Sequence, residues 1–178
     1  MLTFRHKFPG TLFLTACMAM ALSCQPKQPD TKTMLYAPLP NMIFDLNQVN
    51  DNNRPIAEAF EAYEKQDYLL AQHRFEGLPE ELKTPDIYFY LGMSLFAQGK
   101  YSDSKGPLTT GGKYGSRFSG AAKYYLVIVD YEIGRKERAF ERLKDLLYRD
   151  QLLDYTEKGQ KLLEYLALDP EIPENRDN

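Results

Sequence analysis

Two stretches of the sequence repeat one pattern of glycine, small and aliphatic residues at nearly constant spacing. Gly99 and Gly134 lie 35 positions apart, and the small residues Ser104 and Ala139 that follow them are also 35 positions apart. A fainter copy lies upstream, with its residues 33 positions before their counterparts: Tyr68 before Tyr101, Ala71 before Ser104, and Phe75 before Leu108. A period near 34 residues is typical of stacked helix pairs that bury their shared faces. The pattern therefore predicts a helical repeat architecture, which favours a binding scaffold over a catalyst.

Hydrophobic periodicity and helix-end signals locate the helices within these repeats. Ile56, Ala59, Phe60 and Tyr63 have the i, i+3, i+4, i+7 spacing of an amphipathic helix. Glycine and proline then mark the ends of successive helices. We expect helices at 55–65 and 68–76, at 84–98 with a partner starting near 102, at 118–133 and 136–149, and a capping helix at 154–168.

The second helix of the middle pair contains signals that oppose a helix. Pro107 removes a backbone donor and clashes one turn back, and Gly106 adds an entropic cost. Gly111, Gly112 and Gly115 follow closely. We therefore expect this helix to be interrupted and followed by a long loop.

The repeated residues resemble the tetratricopeptide repeat family over about residues 54–168. The middle unit matches best, since Gly92 stands at the small-residue site where paired helices approach closely. The third unit has Val127 there and Asp130 at a usually aromatic site, and the first unit has Glu58 where leucine is typical. The resemblance implies an all-α solenoid of about three helix-turn-helix units with a C-terminal capping helix. It also implies close packing at Gly92 and Ala139.

The N-terminus has the organisation of a secretory signal. Arg5, His6 and Lys7 precede an uncharged, largely apolar run that ends in Ala-Leu-Ser before Cys24. A small residue directly before cysteine resembles a bacterial lipoprotein processing site. This implies a signal peptide at 1–23 and an acylated, palmitate-bearing Cys24 that anchors the protein in the cell envelope, on the periplasmic side of the outer membrane. Cys17 is the alternative, but it leaves a short apolar run of nine residues after Lys7.

Charge and cysteine content exclude several classes of protein. Loss of Arg5 and Lys7 with the signal changes the formal net charge from −3 to −5, which opposes nucleic-acid binding. The chain has two cysteines, Cys17 and Cys24, so the processed protein has no pair for a disulfide.

The segment after Cys24 is expected to be a tether, over residues 24–53, and residues 169–178 are expected to form a tail. Pro26, Pro29, Pro38 and Pro40 oppose helix formation in the tether. Residues 34–44 are nevertheless too apolar for a solvated linker, because disordered segments are normally poor in such side chains.

Residues with catalytic or metal-binding chemistry have little support in the sequence. His73 is the one histidine outside the signal, and it lacks cysteine or carboxylate partners at metal-ligand spacing. The glycines at 111–115 lack the Gly-Lys-Ser/Thr run of a phosphate loop. We therefore expect no enzyme activity, cofactor or metal, and interpret His73 as a helical surface residue.

The resemblance implies a concave groove lined by the first helix of each unit. Carried onto this chain, its positions are Phe89, Met93 and Phe96 in the second unit, Tyr124, Ile128 and Tyr131 in the third, and Ile56, Phe60 and Tyr63 in the first. A groove this apolar either binds a partner or is covered internally. The sequence thus favours a lipid-anchored adaptor that holds a protein or peptide partner. A glycan-binding lipoprotein is the alternative, because exposed aromatic rings also stack on sugars.

The apolar tether segment offers an internal cover for that groove. Burying its side chains contributes about 1.5–3 kcal/mol each, while ordering its backbone costs about 1–2 kcal/mol per residue. We therefore expect residues 34–44 to dock on the repeat body marginally and displaceably.

Overall fold

The described part of the chain is all-helical, and a computed structural model describes residues 30–113 and 115–172. No strand occurs among these residues. Two short 3₁₀ helices, Glu80–Leu82 and Leu153–Tyr155, lie between the main helices. The helices are α1 (Thr31–Leu35), α2 (Arg54–Glu64), α3 (Tyr68–Glu76), α4 (Pro85–Ala97), α5 (Tyr101–Gly111), α6 (Ser119–Glu132), α7 (Lys136–Tyr148) and α8 (Thr156–Ala167).

The compact unit of the chain begins at Thr31, so it includes much of the segment assigned above to a tether. The expected signal peptide and Cys24 lie outside the described residues. None of the described helices is long and apolar enough to cross a membrane.

Two of the helices have a side-chain cap at their N-terminus. The carboxylate of Asp67 accepts a hydrogen bond of 3.1 Å from the backbone N–H of Leu70 at the start of α3. Thr84 Oγ1 accepts one of 3.4 Å from Ile87 at the start of α4, where Pro85 occupies the first turn. These caps agree with the helix starts expected from the sequence.

One helix-ending motif recurs at four turns. The residues after α2, α4, α6 and α7 have positive φ: Gln66 (59°), Gly99 (73°), Gly134 (83°) and Asp150 (49°). In each turn the next residue donates to the carbonyl five positions back, as from Lys100 to Leu95 at 3.0 Å. This is the Schellman arrangement, in which a left-handed residue lets the last helical carbonyls find donors. The repeated glycines of the sequence therefore mark identical turns.

Successive helices from α2 to α8 pack against each other in chain order. At Gly92 a Cβ atom would lie 2.7 Å from Leu108 Cγ and 2.9 Å from the Leu108 backbone nitrogen, so α4 and α5 approach closely there. Ala139 is fully buried on α7. The expectation of close packing at Gly92 is confirmed.

The expected interruption of the second pair is wrong. Helix α5 continues through Gly106 and Pro107 to Gly111. Ser104, Leu108 and Gly111 are buried along one face of α5, and packing of this face on α4 outweighs the lost hydrogen bond at Pro107. Gly111 is itself needed for the contact, since a Cβ there would lie 2.6 Å from the Phe89 backbone.

Candidate functional site

A ladder of tyrosine hydroxyls binds the segment before α2, which we call the strap (residues 31–46). Tyr124 donates to the carbonyl oxygen of Leu35 at 2.9 Å, and Tyr125 to that of Ala37 at 2.7 Å. Tyr63 donates to Leu39 at 2.6 Å, and Tyr90 donates to Pro40 at 2.8 Å. Tyr90 also accepts from the backbone N–H of Met42 at 2.9 Å. The strap is therefore bound through its main chain by α2, α4 and α6.

Apolar side chains of the strap enter the core beside this ladder. Leu35 is 3% exposed. The ring of Phe44 stacks on Phe60, with 5.6 Å between centroids and 6° between planes. The ring of Tyr36 lies 6.2 Å from that of Phe96. The strap thus contributes side chains to the same core that the helix pairs build.

Asn41 forms the bend that directs the end of the strap into the core. Its Oδ1 accepts from the backbone N–H groups of Ile43 and Phe44 at 3.2 and 3.0 Å. Its Nδ2 donates to Glu64 on α2 at 2.8 Å. This turn sets the position of Phe44 over Phe60.

The other end of the strap is held by charge and by helix packing. Lys32 Nζ lies 2.8 Å from Glu132 Oε1 at the end of α6 and 4.9 Å from the ring centroid of Tyr36. Helix α1 also packs against α8. The strap therefore touches both the helix pairs and the last helix.

The residues assigned to a groove are almost all buried beneath or beside the strap. Phe89, Met93, Phe96, Tyr124 and Ile128 are at most 3% exposed. Tyr131 is half-buried, and its hydroxyl donates to Asp169 rather than to the strap. In the first pair Phe60 and Tyr63 are buried and Ile56 is half-buried. The docking expected for residues 34–44 is confirmed.

Two tyrosines of the ladder were not predicted as site residues from the sequence. Tyr90 and Tyr125 directly follow the assigned positions Phe89 and Tyr124, and both are fully buried. The chemistry of tyrosine could have indicated them, because a buried phenol needs a hydrogen-bond partner. The carbonyls of a proline-containing segment supply such acceptors.

Burial keeps the ladder hydroxyls protonated. Desolvation raises the pKa of Tyr90 to about 12, against a smaller opposing effect of the hydrogen bond from Met42. Burial also raises the pKa of Tyr63, Tyr124 and Tyr125. Each hydroxyl therefore remains a donor throughout the neutral pH range.

An open cavity of about 310 Å³ adjoins the middle of the strap. Leu39 and Met42 of the strap face Phe118, Leu152 and Leu153 across it. Leu153 is 61% exposed and has a φ of 52°, which is unusual for a bulky side chain. The cavity is apolar and lies at the surface.

A buried carboxylate lies outside the ladder. Asp130 on α6 is fully buried, 2.7 Å from Lys105 Nζ and 3.0 Å from an Arg142 guanidinium nitrogen. Burial opposes its ionisation, but these two cations outweigh it and lower the pKa of Asp130. The cluster joins α5, α6 and α7, so its role is structural.

Metal-binding side chains do not converge in the described residues. His73 is an exposed residue of α3, 3.9 Å from Glu76. Within 30–113 and 115–172, no cluster of three or more histidine, cysteine, aspartate or glutamate side chains could hold a metal ion. The strap and its ladder are therefore the strongest candidate site.

No protein-family model, curated protein or solved structure matches this chain.

Proposed function

We propose that this protein is a lipid-anchored scaffold of tetratricopeptide-like helix pairs that holds a segment of a partner protein in the bacterial cell envelope. One observation carries the proposal: a face built from α2, α4 and α6 already binds a segment of the chain through main-chain carbonyls. Main-chain recognition suits a peptide, because every peptide presents the same carbonyls.

The repeat architecture of the proposal rests on three features of the fold. Identical turns at Gly99 and Gly134 lie 35 residues apart, and Gln66 is the equivalent residue of the first pair. Helices pack in chain order. Gly92 lies at the close approach of its pair, where the tetratricopeptide pattern has a small residue.

Glycan binding has less support than peptide binding. The ladder hydroxyls already bond to peptide carbonyls, so their chemistry matches a polypeptide ligand.

The anchor of the proposed function is tested by mass spectrometry of the membrane fraction. A diacylated or triacylated N-terminal peptide beginning at Cys24 is expected, and Cys24→Ala should release the protein or leave it unprocessed. An unmodified N-terminus, or acylation at Cys17, would contradict the anchor.

The binding function is tested by photo-crosslinking in intact cells. A photoreactive phenylalanine analogue replaces Tyr68, which borders strap residues 38–41. The matched control replaces Tyr148, which is 91% exposed on α7. A discrete protein captured at Tyr68 and not at Tyr148 is expected. Equal capture at both positions, or none at either, would show that this face does not bind a partner.

A further inference from the structure

We propose that the strap is an internal, displaceable ligand, and that the partner segment has the strap's own chemistry. That segment is a proline-containing peptide that begins with a helical turn and continues as irregular chain, with an aliphatic side chain nine positions before an aromatic one. This inference rests on the proposed function and specifies its ligand and its regulation. The strap then competes with the partner for a single site.

The hydrogen bonds of the ladder do not depend on the identity of the strap's side chains. The hydroxyls of Tyr124, Tyr125, Tyr63 and Tyr90 all bond to main-chain atoms of the strap. The acceptors belong to residues 35, 37, 39 and 40: Leu35 ends α1, and residues 37–40 follow it as irregular chain. A second peptide in the same conformation can make these bonds equally well.

Two apolar contacts provide the selectivity that main-chain bonds lack. Leu35 is buried near one end of the strap, and Phe44 stacks on Phe60 near the other. Between them stand Pro38 and Pro40, which lack an N–H and so present only carbonyls to the ladder. These features define the ligand pattern: aliphatic, then proline-containing and irregular, then aromatic.

The strap can leave its site because one side of it faces solvent. Met34 is 58% exposed and Met42 is 65% exposed. Ala37 and Pro40 are exposed as well. Leu46 still packs against the core, but the chain between it and Asn53 at the start of α2 consists of short turns with exposed hydrogen bonds. Residues 47–52 can therefore serve as a hinge.

The experiment measures strap opening with a single thiol. The chain from Gln25 onward contains the whole compact unit and no native cysteine. Leu35→Cys places a buried thiol in the strap, and Ala139→Cys places one in the helical core as the control. Both variants are labelled with a thiol reagent alone, with a synthetic peptide of residues 31–46, or with the same peptide carrying Leu35→Asp and Phe44→Asp.

If the strap is displaceable, the thiol at position 35 reacts faster than the thiol at 139 without any peptide. The unaltered peptide should accelerate labelling at 35 by about tenfold at ten times its Kd for the open form, since it binds only that form. It should leave position 139 unchanged, and the altered peptide should have no effect. Hydrogen exchange at the Met42 N–H of the unsubstituted chain should respond to the two peptides in the same way.

Three outcomes would overturn the inference. Equal labelling at 35 and 139 would make the strap a permanent part of the fold. Acceleration by both peptides alike would remove the proposed ligand pattern. A concentration-dependent dimer in sedimentation, with exchanged straps, would make a second copy the occupant. A partner captured at Tyr68 in cells, combined with any of these results, would leave the scaffold function standing and refute only this ligand and its regulation.

Discussion

At the scale of single residues, buried polar groups determine what this fold can do. The ladder tyrosines donate their hydroxyl protons to strap carbonyls, and the Asp130 carboxylate accepts from Lys105 and Arg142. Each of these groups is costly to bury without its partner. Substitutions that preserve shape and remove only the polar group therefore test their roles directly.

Asp130→Asn should lower the free energy of unfolding by about 3 kcal/mol, because it leaves Lys105, Arg142 and the more distant Arg135 without their anion. The folded pKa of Asp130 is lowered from 3.8, so its stabilising effect is complete above that value and is lost as the pH falls below it. Urea unfolding from pH 7 to pH 3 is the measurement. The difference between the two proteins should shrink only below about pH 4, and a difference that is constant with pH would contradict this assignment.

Tyr90→Phe should loosen the middle of the strap. The ring keeps its packing against Phe60 and Tyr63, but the bonds to Pro40 and from Met42 are lost. Hydrogen exchange at the Met42 N–H should accelerate about tenfold, corresponding to about 1.4 kcal/mol. Tyr148→Phe is the matched control, since that side chain is 91% exposed, and it should change nothing.

At the scale of helices and turns, backbone conformation explains which repeated residues matter. Gly99 and Gly134 adopt positive φ in equivalent turns, and the first pair has Gln66 in the same conformation. A left-handed residue with a Cβ costs about 1–2 kcal/mol. The turn at Gln66 is thus strained, whereas the turns at Gly99 and Gly134 are not.

Exchanging the residues of these turns should change stability in opposite directions. Gln66→Gly should raise the free energy of unfolding by about 0.5–1 kcal/mol, and Gly99→Gln should lower it by about 1 kcal/mol. A Cβ at Gly99 would meet no described atom within 4 Å, so its cost is conformational rather than steric. Urea midpoints measure both effects, and changes of the same sign would exclude the shared turn geometry.

Alanine substitutions at two glycines of one helix pair compare a close approach with an open position. Gly92→Ala places a Cβ 2.7 Å from Leu108 Cγ and should destabilise by about 1–3 kcal/mol. Gly106→Ala, where a Cβ would meet nothing within 4 Å beyond its chain neighbours, should change stability little, because the lower backbone entropy of alanine is offset by the crowding of a Cβ against the Pro107 ring. Ala139→Leu should destabilise as Gly92→Ala does. Equal melting temperatures for the two alanine variants would contradict the close approach of α4 and α5.

At the scale of the whole molecule, the strap joins elements that are distant in sequence. It bonds to α2, α4 and α6, and its first residues pack on α8. Most other helix contacts run between neighbours in the chain. The strap therefore adds long-range cohesion to a fold of otherwise local contacts.

A chain that starts at Asn50 should expose the face that the strap covers. Compared with a chain from Gln25, it should bind more hydrophobic dye and lose hydrogen-exchange protection in residues 89–96 and 124–131. Helix α7 supplies none of the ladder hydroxyls and should change less, which serves as the internal control. Unchanged exchange in α4 and α6 would mean that the helices close this face without the strap.

The sequence by itself determined the helix pairs, their glycine turns and the docking of an apolar tether segment. These follow from local properties: hydrophobic period, left-handed glycine positions, and side chains too apolar for a solvated linker. The position of Gly92 at a close approach was implied by the resemblance to tetratricopeptide repeats, whose pattern has a small residue there.

Only the tertiary structure decided how these parts meet. Pro107 lies inside α5 because burial of Leu108 and Gly111 compensates for a lost backbone bond, a balance that local propensity omits. Tyr90 and Tyr125 join the ladder because two separate helices, α4 and α6, bring their hydroxyls to one segment. The acceptor of a ladder hydroxyl can lie 89 positions away in the chain, as Leu35 does for Tyr124. Such pairings arise from packing in space, and no periodicity along the chain encodes them.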